Sequence, residues 1–178
     1  MNLQKKWRSN TKVYNVTNRL TTVLFIVYLI ALCWILIFKL GVRFSYMGNR
    51  RVNLIPFSKI DVGEIILNAL IFVPLGIYAG ILFERGIFGE KLFFFFLISL
   101  IVEGLQFILA VGAFDSTDII TNTLGGIIGL MIFKAIEKAF NNSVKAQKFI
   151  NIIAAIGTVL MILLLLLLKM NMLPVRYQ

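Results

Sequence analysis

Apolar residues along this chain come in long uninterrupted stretches. They do not follow the alternation of a half-buried strand or the single stripe of a surface helix. Four stretches have membrane-spanning length, Leu20 to Leu40, Ile65 to Phe83, Leu92 to Val111 and Phe149 to Leu168, since about 20 residues rising 1.5 Å each cross the hydrocarbon. A fifth, Ile119 to Phe133, is shorter; it spans if Asp118 sits at one interface and Lys134 snorkels to the other. The pattern predicts an all-α integral membrane protein, a bundle of about five transmembrane helices. The predicted organisation is a basic tail over 1–19, a four-helix core over 20–136 with a long loop at 41–63, a linker over 137–148, and a fifth helix with a short tail over 149–178.

Local composition refines these elements. The first apolar run is too long for the core of a signal peptide and lacks a small-x-small cleavage site, so it is expected to remain as a helix. Within the second run, Pro74 followed by Gly76 removes a backbone donor and is expected to kink the helix near its middle. The Leu163 to Leu168 run has nothing polar to hide, which suits a fifth helix added at the periphery of the core. Phe93 to Phe96 covers all sides of its helix and reads as lipid contact or packing. Cys33, preceded by Leu32, lacks the small neighbour of a lipoprotein site, and as the single cysteine it forms no internal disulfide.

Composition agrees with the pattern: 60% of the 178 residues are hydrophobic, well above an ordinary soluble chain. The net charge of +10, with no histidine, would suit nucleic acid if it were clustered. Here it is spread over the loops between spans, where it sets topology instead, and no nucleic-acid partner is expected. Of the 18 Lys and Arg residues, 11 fall on the side of the amino terminus: Lys5, Lys6, Arg8, Lys12, Arg19, Arg85, Lys91, Lys134, Lys138, Lys145 and Lys148. The remaining 7 are Lys39, Arg43, Arg50, Arg51, Lys59, Lys169 and Arg176. That excess predicts a cytoplasmic amino terminus and an extracellular carboxyl terminus.

In that orientation the polar residues inside the spans gather in the outer half. Ionisable side chains cost several kcal/mol there unless paired or hydrated. Glu64 and Asn68, Glu103 and Gln106, and Asp118 and Asn122 each stand three or four residues apart, so each pair shares a helix face. Helix four continues its stripe through Gly125 and Gly129, a small-xxx-small pattern that lets a neighbouring backbone approach closely. Asp61 with Glu64, and Asp115 with Asp118, have the spacing of a helix cap. Asn68 and Asn122 suit either interhelical hydrogen bonds or ligand contact. Glu103 lies too deep for a cap, so it is explained by a structural hydrogen bond to Gln106 or Asn122 or by function. In the first loop, Asn53-Leu54-Ile55-Pro56-Phe57 is apolar between Arg51 and Lys59, as in a segment lying in the interface or dipping back towards the bundle. Arg50, Arg51 and Lys59 suit phosphate contact or a snorkelling belt.

Four motifs in order carry a resemblance: Asn53 to Phe57; Asn68 with Phe72-Val73-Pro74-Leu75-Gly76; Glu103-Gly104-Leu105-Gln106; and Asp115 to Gly126. Over about Leu20 to Phe133 the chain resembles the VanZ family, whose order and spacing of motifs is specific although each motif alone is weak. The resemblance implies resistance to teicoplanin and related lipid-tailed glycopeptide antibiotics in Gram-positive bacteria. Many members carry an Arg before the paired aspartates, where this chain reads Val111-Gly112-Ala113-Phe114. Any cation that Asp115 requires would then come from Arg50 or Arg51.

Three functions are compatible with these residues. In the first, a non-enzymatic resistance factor binds the antibiotic, membrane lipid or a lipid-linked peptidoglycan precursor through Glu103, Gln106, Asp115, Asp118, Asn122, Asn68, Asn53, Arg50 and Arg51. The second is an intramembrane enzyme acting on a lipid-linked substrate, with Glu103 and Asp118 as acid and base or as ligands of a hard divalent cation. Against it, there is no histidine, nucleophile motif or glycine-rich phosphate loop, and no cofactor or metal is expected. The third is a scaffold that docks another membrane protein on its Gly125 to Gly129 face.

Overall fold

The computed structural model describes residues 18–33, 52–58, 61–84, 86–109 and 112–169. Among them are helices α1 (Asn18–Cys33), α2 (Val62–Leu82), α3 (Phe88–Ile108), α4 (Ser116–Phe140) and α5 (Ser143–Lys169), and the short strands β1 (Val52–Asn53) and β2 (Phe114–Asp115). Four of the helices, α2 to α5, are long and apolar enough to cross a membrane, and α1 is apolar along its described length. The all-α membrane bundle expected from the hydrophobic pattern is therefore the fold. The chain divides into two compact units, Tyr28–Asn141 and Met1–Val27 with Asn142–Gln178.

In the larger unit, glycines bring α2 and α4 together. A Cβ on Gly125 would overlap the carbonyl of Ala69, and one on Gly129 the carbonyl of Val73; Gly76 lies equally close against Gly126 and Leu130. Residue numbers rise together along this seam, so the two helices run parallel with backbones in contact, as small residues permit. The Gly125 to Gly129 face is thus occupied by the chain's own α2 and is not a free docking face. On its other side α4 meets α3, whose Phe95 ring lies against Gly126. The phenylalanine run divides by face: Phe95 is fully buried, Phe93 and Phe96 are exposed, and Phe94 packs edge-on to Phe83. Pro74 lies inside an α2 that continues on both sides of it. The Tyr28 hydroxyl donates to the Ile71 carbonyl at 2.9 Å, one residue beyond the carbonyl that Pro74 deprives of its helical donor.

Several helix boundaries differ from the hydrophobic runs, because caps rather than apolar length end a helix. Helix α3 starts at Phe88, not Leu92, where the Glu90 carboxylate accepts from the Ile87 N–H at 3.1 Å. Helix α4 is 25 residues long, about 37 Å, and so extends past the apolar run at both ends. It starts at the Asp115 cap, runs on past Phe133 through a Lys134–Glu137 ion pair at 3.1 Å, and stops at Asn141 in the left-handed region with φ 47°. The expected linker over 137–148 is mostly helical. Only Asn141 and Asn142 separate α4 from α5, and the Asn142 side chain caps α5 by accepting from the Lys145 N–H at 2.9 Å.

The smaller unit contains a polar cluster that hydrophobic runs do not reveal. Gln147 Nε2 on α5 donates to Asn18 Oδ1 at 2.9 Å and to Thr21 Oγ1 at 2.7 Å, and the Thr21 hydroxyl donates to Asn151 Oδ1 at 3.0 Å. Gln147 and Asn151 are one turn apart and buried with Ala146 and Ile150. The first turns of α5, well before its Leu163 to Leu168 run, are thus joined to the start of α1 by hydrogen bonds, which matter most where water is absent.

Candidate functional site

The polar residues of the larger unit meet at the end of the bundle where α2 and α4 begin and α3 ends. Helix α4 starts there because Asp115 is extended, with φ −121° and ψ 121°, and its Oδ1 accepts from the Thr117 N–H at 2.7 Å. Its other oxygen accepts from the Asn53 amide at 2.9 Å. The backbones around these two residues pair as parallel strands, with Val52 opposite Phe114 and Asn53 opposite Asp115. One carboxylate therefore caps a helix and holds the first loop.

Glu103 connects this loop junction to α3. It is 2% exposed, and its Oε2 accepts from the Asp115 N–H at 3.2 Å. The partner expected for it was Gln106 or Asn122; this hydrogen bond goes to the backbone at the start of α4. One turn earlier on α3, buried Ser99 accepts from the Asn122 amide at 3.0 Å. With Phe95 against Gly126 and Ser99 against Asn122, one further turn of this antiparallel pair puts Asp118 level with Glu103. Asp118 is 8% exposed and Gln106 1%, with Gln106 lying beneath Gly112 in the turn before β2.

Among the described residues, three buried polar atoms near this junction have no hydrogen-bond partner: Asn122 Oδ1, Asn68 Nδ2 and Ser116 Oγ. With Ala69 lying against Gly125, Asn68 on α2 is within about one turn of Asn122 along the bundle axis. An unpaired amide oxygen on α4 and an unpaired amide donor on α2 thus face the same layer of the bundle. Such atoms cost about 1–3 kcal/mol each unless water or a ligand satisfies them.

The structure joins Asn53, Asp115 and Glu103 in one chain of hydrogen bonds, and Asn122 with Ser99 in another. Asp61 stands apart. Asp61 is exposed and caps α2 by accepting from the Gly63 and Glu64 N–H groups at 2.9 and 3.2 Å. Arg50 and Arg51 lie outside the described residues. Two contributors are absent from the sequence reading. Ser99 stands one turn before Glu103 on its own face, a spacing that could have singled it out. Thr117 accepts from the Phe57 N–H at 3.0 Å through its hydroxyl, a long-range contact with no signal in local sequence. Among the described residues, no three His, Cys, Asp or Glu side chains group closely enough to hold a metal ion.

The order of these motifs now has a spatial meaning, and comparison with known proteins agrees with it. Residues 25–141 match the family profile described as VanZ/LLP1. The chain belongs to the VanZ/LLP1 family. It is 37% identical over 142 residues to Protein VanZ of Enterococcus faecium, an alignment covering 78% of this chain and 86% of that protein. No solved structure matches. The matched VanZ region holds every residue of the junction and nearly coincides with the larger unit, whereas Gln147 and Asn151 lie beyond it.

Proposed function

We propose that this multi-pass VanZ-family protein protects its host against teicoplanin and related lipid-tailed glycopeptides by binding, through a polar site opening towards the outer face of the membrane. The amino terminus lies in the cytoplasm in this reading, as the distribution of Lys and Arg favours. What carries the reading is the set of unpartnered buried atoms, Asn122 Oδ1, Asn68 Nδ2 and Ser116 Oγ, beside the buried carboxyl groups of Glu103 and Asp118. A donor, an acceptor and a hydroxyl suit the amides and sugar hydroxyls of a glycopeptide or of a lipid-linked wall precursor. The test is resistance in a sensitive Gram-positive host producing variants at equal membrane levels. Glu103→Gln and Asp118→Asn lower teicoplanin resistance much more than vancomycin resistance; full protection by both variants overturns the reading.

A second reading, an intramembrane enzyme on a lipid-linked substrate, is favoured by one observation, the placement of Glu103 and Asp118 at one level across the α3–α4 seam. Two carboxyl groups so placed suit an acid and base pair. Turnover would change the lipid and precursor profile of cells producing the wild-type protein relative to Glu103→Gln. Identical profiles dismiss it.

A further inference from the structure

The segment that closes over the polar junction, residues 52–58, is arranged inside out by the standard of a soluble loop. Its polar groups are satisfied by the bundle or within the segment: the Asn53 amide donates to Asp115 and the Phe57 N–H to the Thr117 hydroxyl, while the Ser58 hydroxyl and Ile55 N–H donate to Asn53 Oδ1 at 3.1 and 3.3 Å. Its apolar side chains turn away, with Leu54 69%, Ile55 70% and Phe57 44% exposed. Phe57 adopts φ 58°, the left-handed region that a bulky residue enters only when its surroundings require it. These restraints hold the apolar side chains outward.

We propose that Leu54, Ile55 and Phe57 form a wedge that inserts into the boundary between lipid headgroups and acyl chains, fixing the depth at which the polar junction lies. Two observations identify lipid as the occupant. Helix α2, which begins shortly after the segment and is long and apolar enough to span the membrane, exposes Val62, Ile66 and Leu67 by more than half on its first turns. The segment is also flanked in sequence by Arg50, Arg51 and Lys59, cations that complement lipid phosphates. Backbone polar groups in a non-helical segment at this depth must be satisfied by protein, and those of Asn53, Ile55, Phe57 and Ser58 take part in the hydrogen bonds of this junction. The inference does not depend on what the polar junction binds.

The test uses the full chain in phosphatidylglycerol and phosphatidylcholine vesicles. Ile55→Trp serves as the single reporter, with Trp7 and Trp34 replaced by Phe. Phosphatidylcholine brominated near the carboxyl end of its chains should quench the emission strongly. Lipid brominated near the methyl end should quench less, and acrylamide several-fold less than it quenches a free tryptophan analogue. Full acrylamide quenching without bromolipid quenching overturns the proposal, because the wedge is then in water. Shielding from both quenchers that rises with the protein-to-lipid ratio also overturns it, since a second copy then covers the segment. If the tryptophan variant does not fold, nitroxide-labelled Leu54→Cys in a Cys33→Ser background gives the same answer. Greater accessibility to oxygen than to a polar nickel chelate supports insertion, and the reverse order refutes it.

Discussion

Replacing Gly129 with Ala adds one methyl group where the structure has no room for it. The new Cβ would overlap the carbonyl of Val73 and lie 3.0 Å from the Gly76 Cα, both backbone atoms of α2 that cannot swing aside as a side chain would. Ordinary carbon contacts need about 3.5 Å or more, so α2 and α4 must part along a seam that also includes Gly125 on Ala69 and Gly76 on Gly126. Overpacking of a fitted core costs about 1–3 kcal/mol, and obstacles that are backbone atoms place this variant near 3 kcal/mol. That is more than a hundredfold in the unfolding equilibrium constant, at about 1.4 kcal/mol per tenfold. Gly104→Ala supplies the control, because a Cβ at that helical position meets nothing within 4 Å and Ala is the better helix former by up to about 1 kcal/mol. Reversible unfolding in mixed detergent micelles, followed by far-ultraviolet circular dichroism, measures both variants. If Gly129→Ala proves as stable as Gly104→Ala, the backbone-contact account of the α2–α4 seam is wrong.

Two further predictions concern the hydrogen bonds of the junction. Ser99→Ala removes the acceptor of the buried Asn122 amide, and a double-mutant cycle with Asn122→Ala should return a coupling of about 0.6 kcal/mol and no more than about 1.7 kcal/mol, the range measured for polar contacts between membrane helices; zero coupling in the same unfolding assay would mean that the pair is not formed. Asp115→Ala removes both the α4 cap and the acceptor for Asn53, so in an Asn53→Ala background it should still cost about 1 kcal/mol, the worth of a cap, and no further cost there would show that the cap contributes nothing.

Apolar runs longer than about 17 residues admit few structures besides membrane helices, because only helices satisfy their own backbone in lipid. The approximate positions of the four long apolar helices α2 to α5 were therefore readable from the chain alone. Local spacing was equally informative: Asp61 and Asp115 were legible as caps, and the Gly125 to Gly129 stripe as a close-packing face, since both depend on residues within one or two turns. Cap chemistry, not hydrophobicity, ended the helices, which is why α3 and α4 extend past their apolar runs and why the expected linker is largely helix.

What occupies a face, by contrast, is a matter of which element arrives there. Sequence showed that a helix could pack closely on Gly129 but not that α2 does so in parallel; only the tertiary structure made Val73 its neighbour. Glu103 was singled out by its depth, yet one donor to it, the Asp115 N–H, stands 12 residues on at the start of another helix, a pairing that no periodicity encodes. The same holds for Asn53 on Asp115, 62 residues apart, and for Gln147 on Thr21, 126 residues apart. Hydropathy is a property of each residue in its solvent, so the chain alone determined how this protein meets the membrane. Hydrogen-bond partners are a property of pairs, and the fold alone decided which buried polar groups meet.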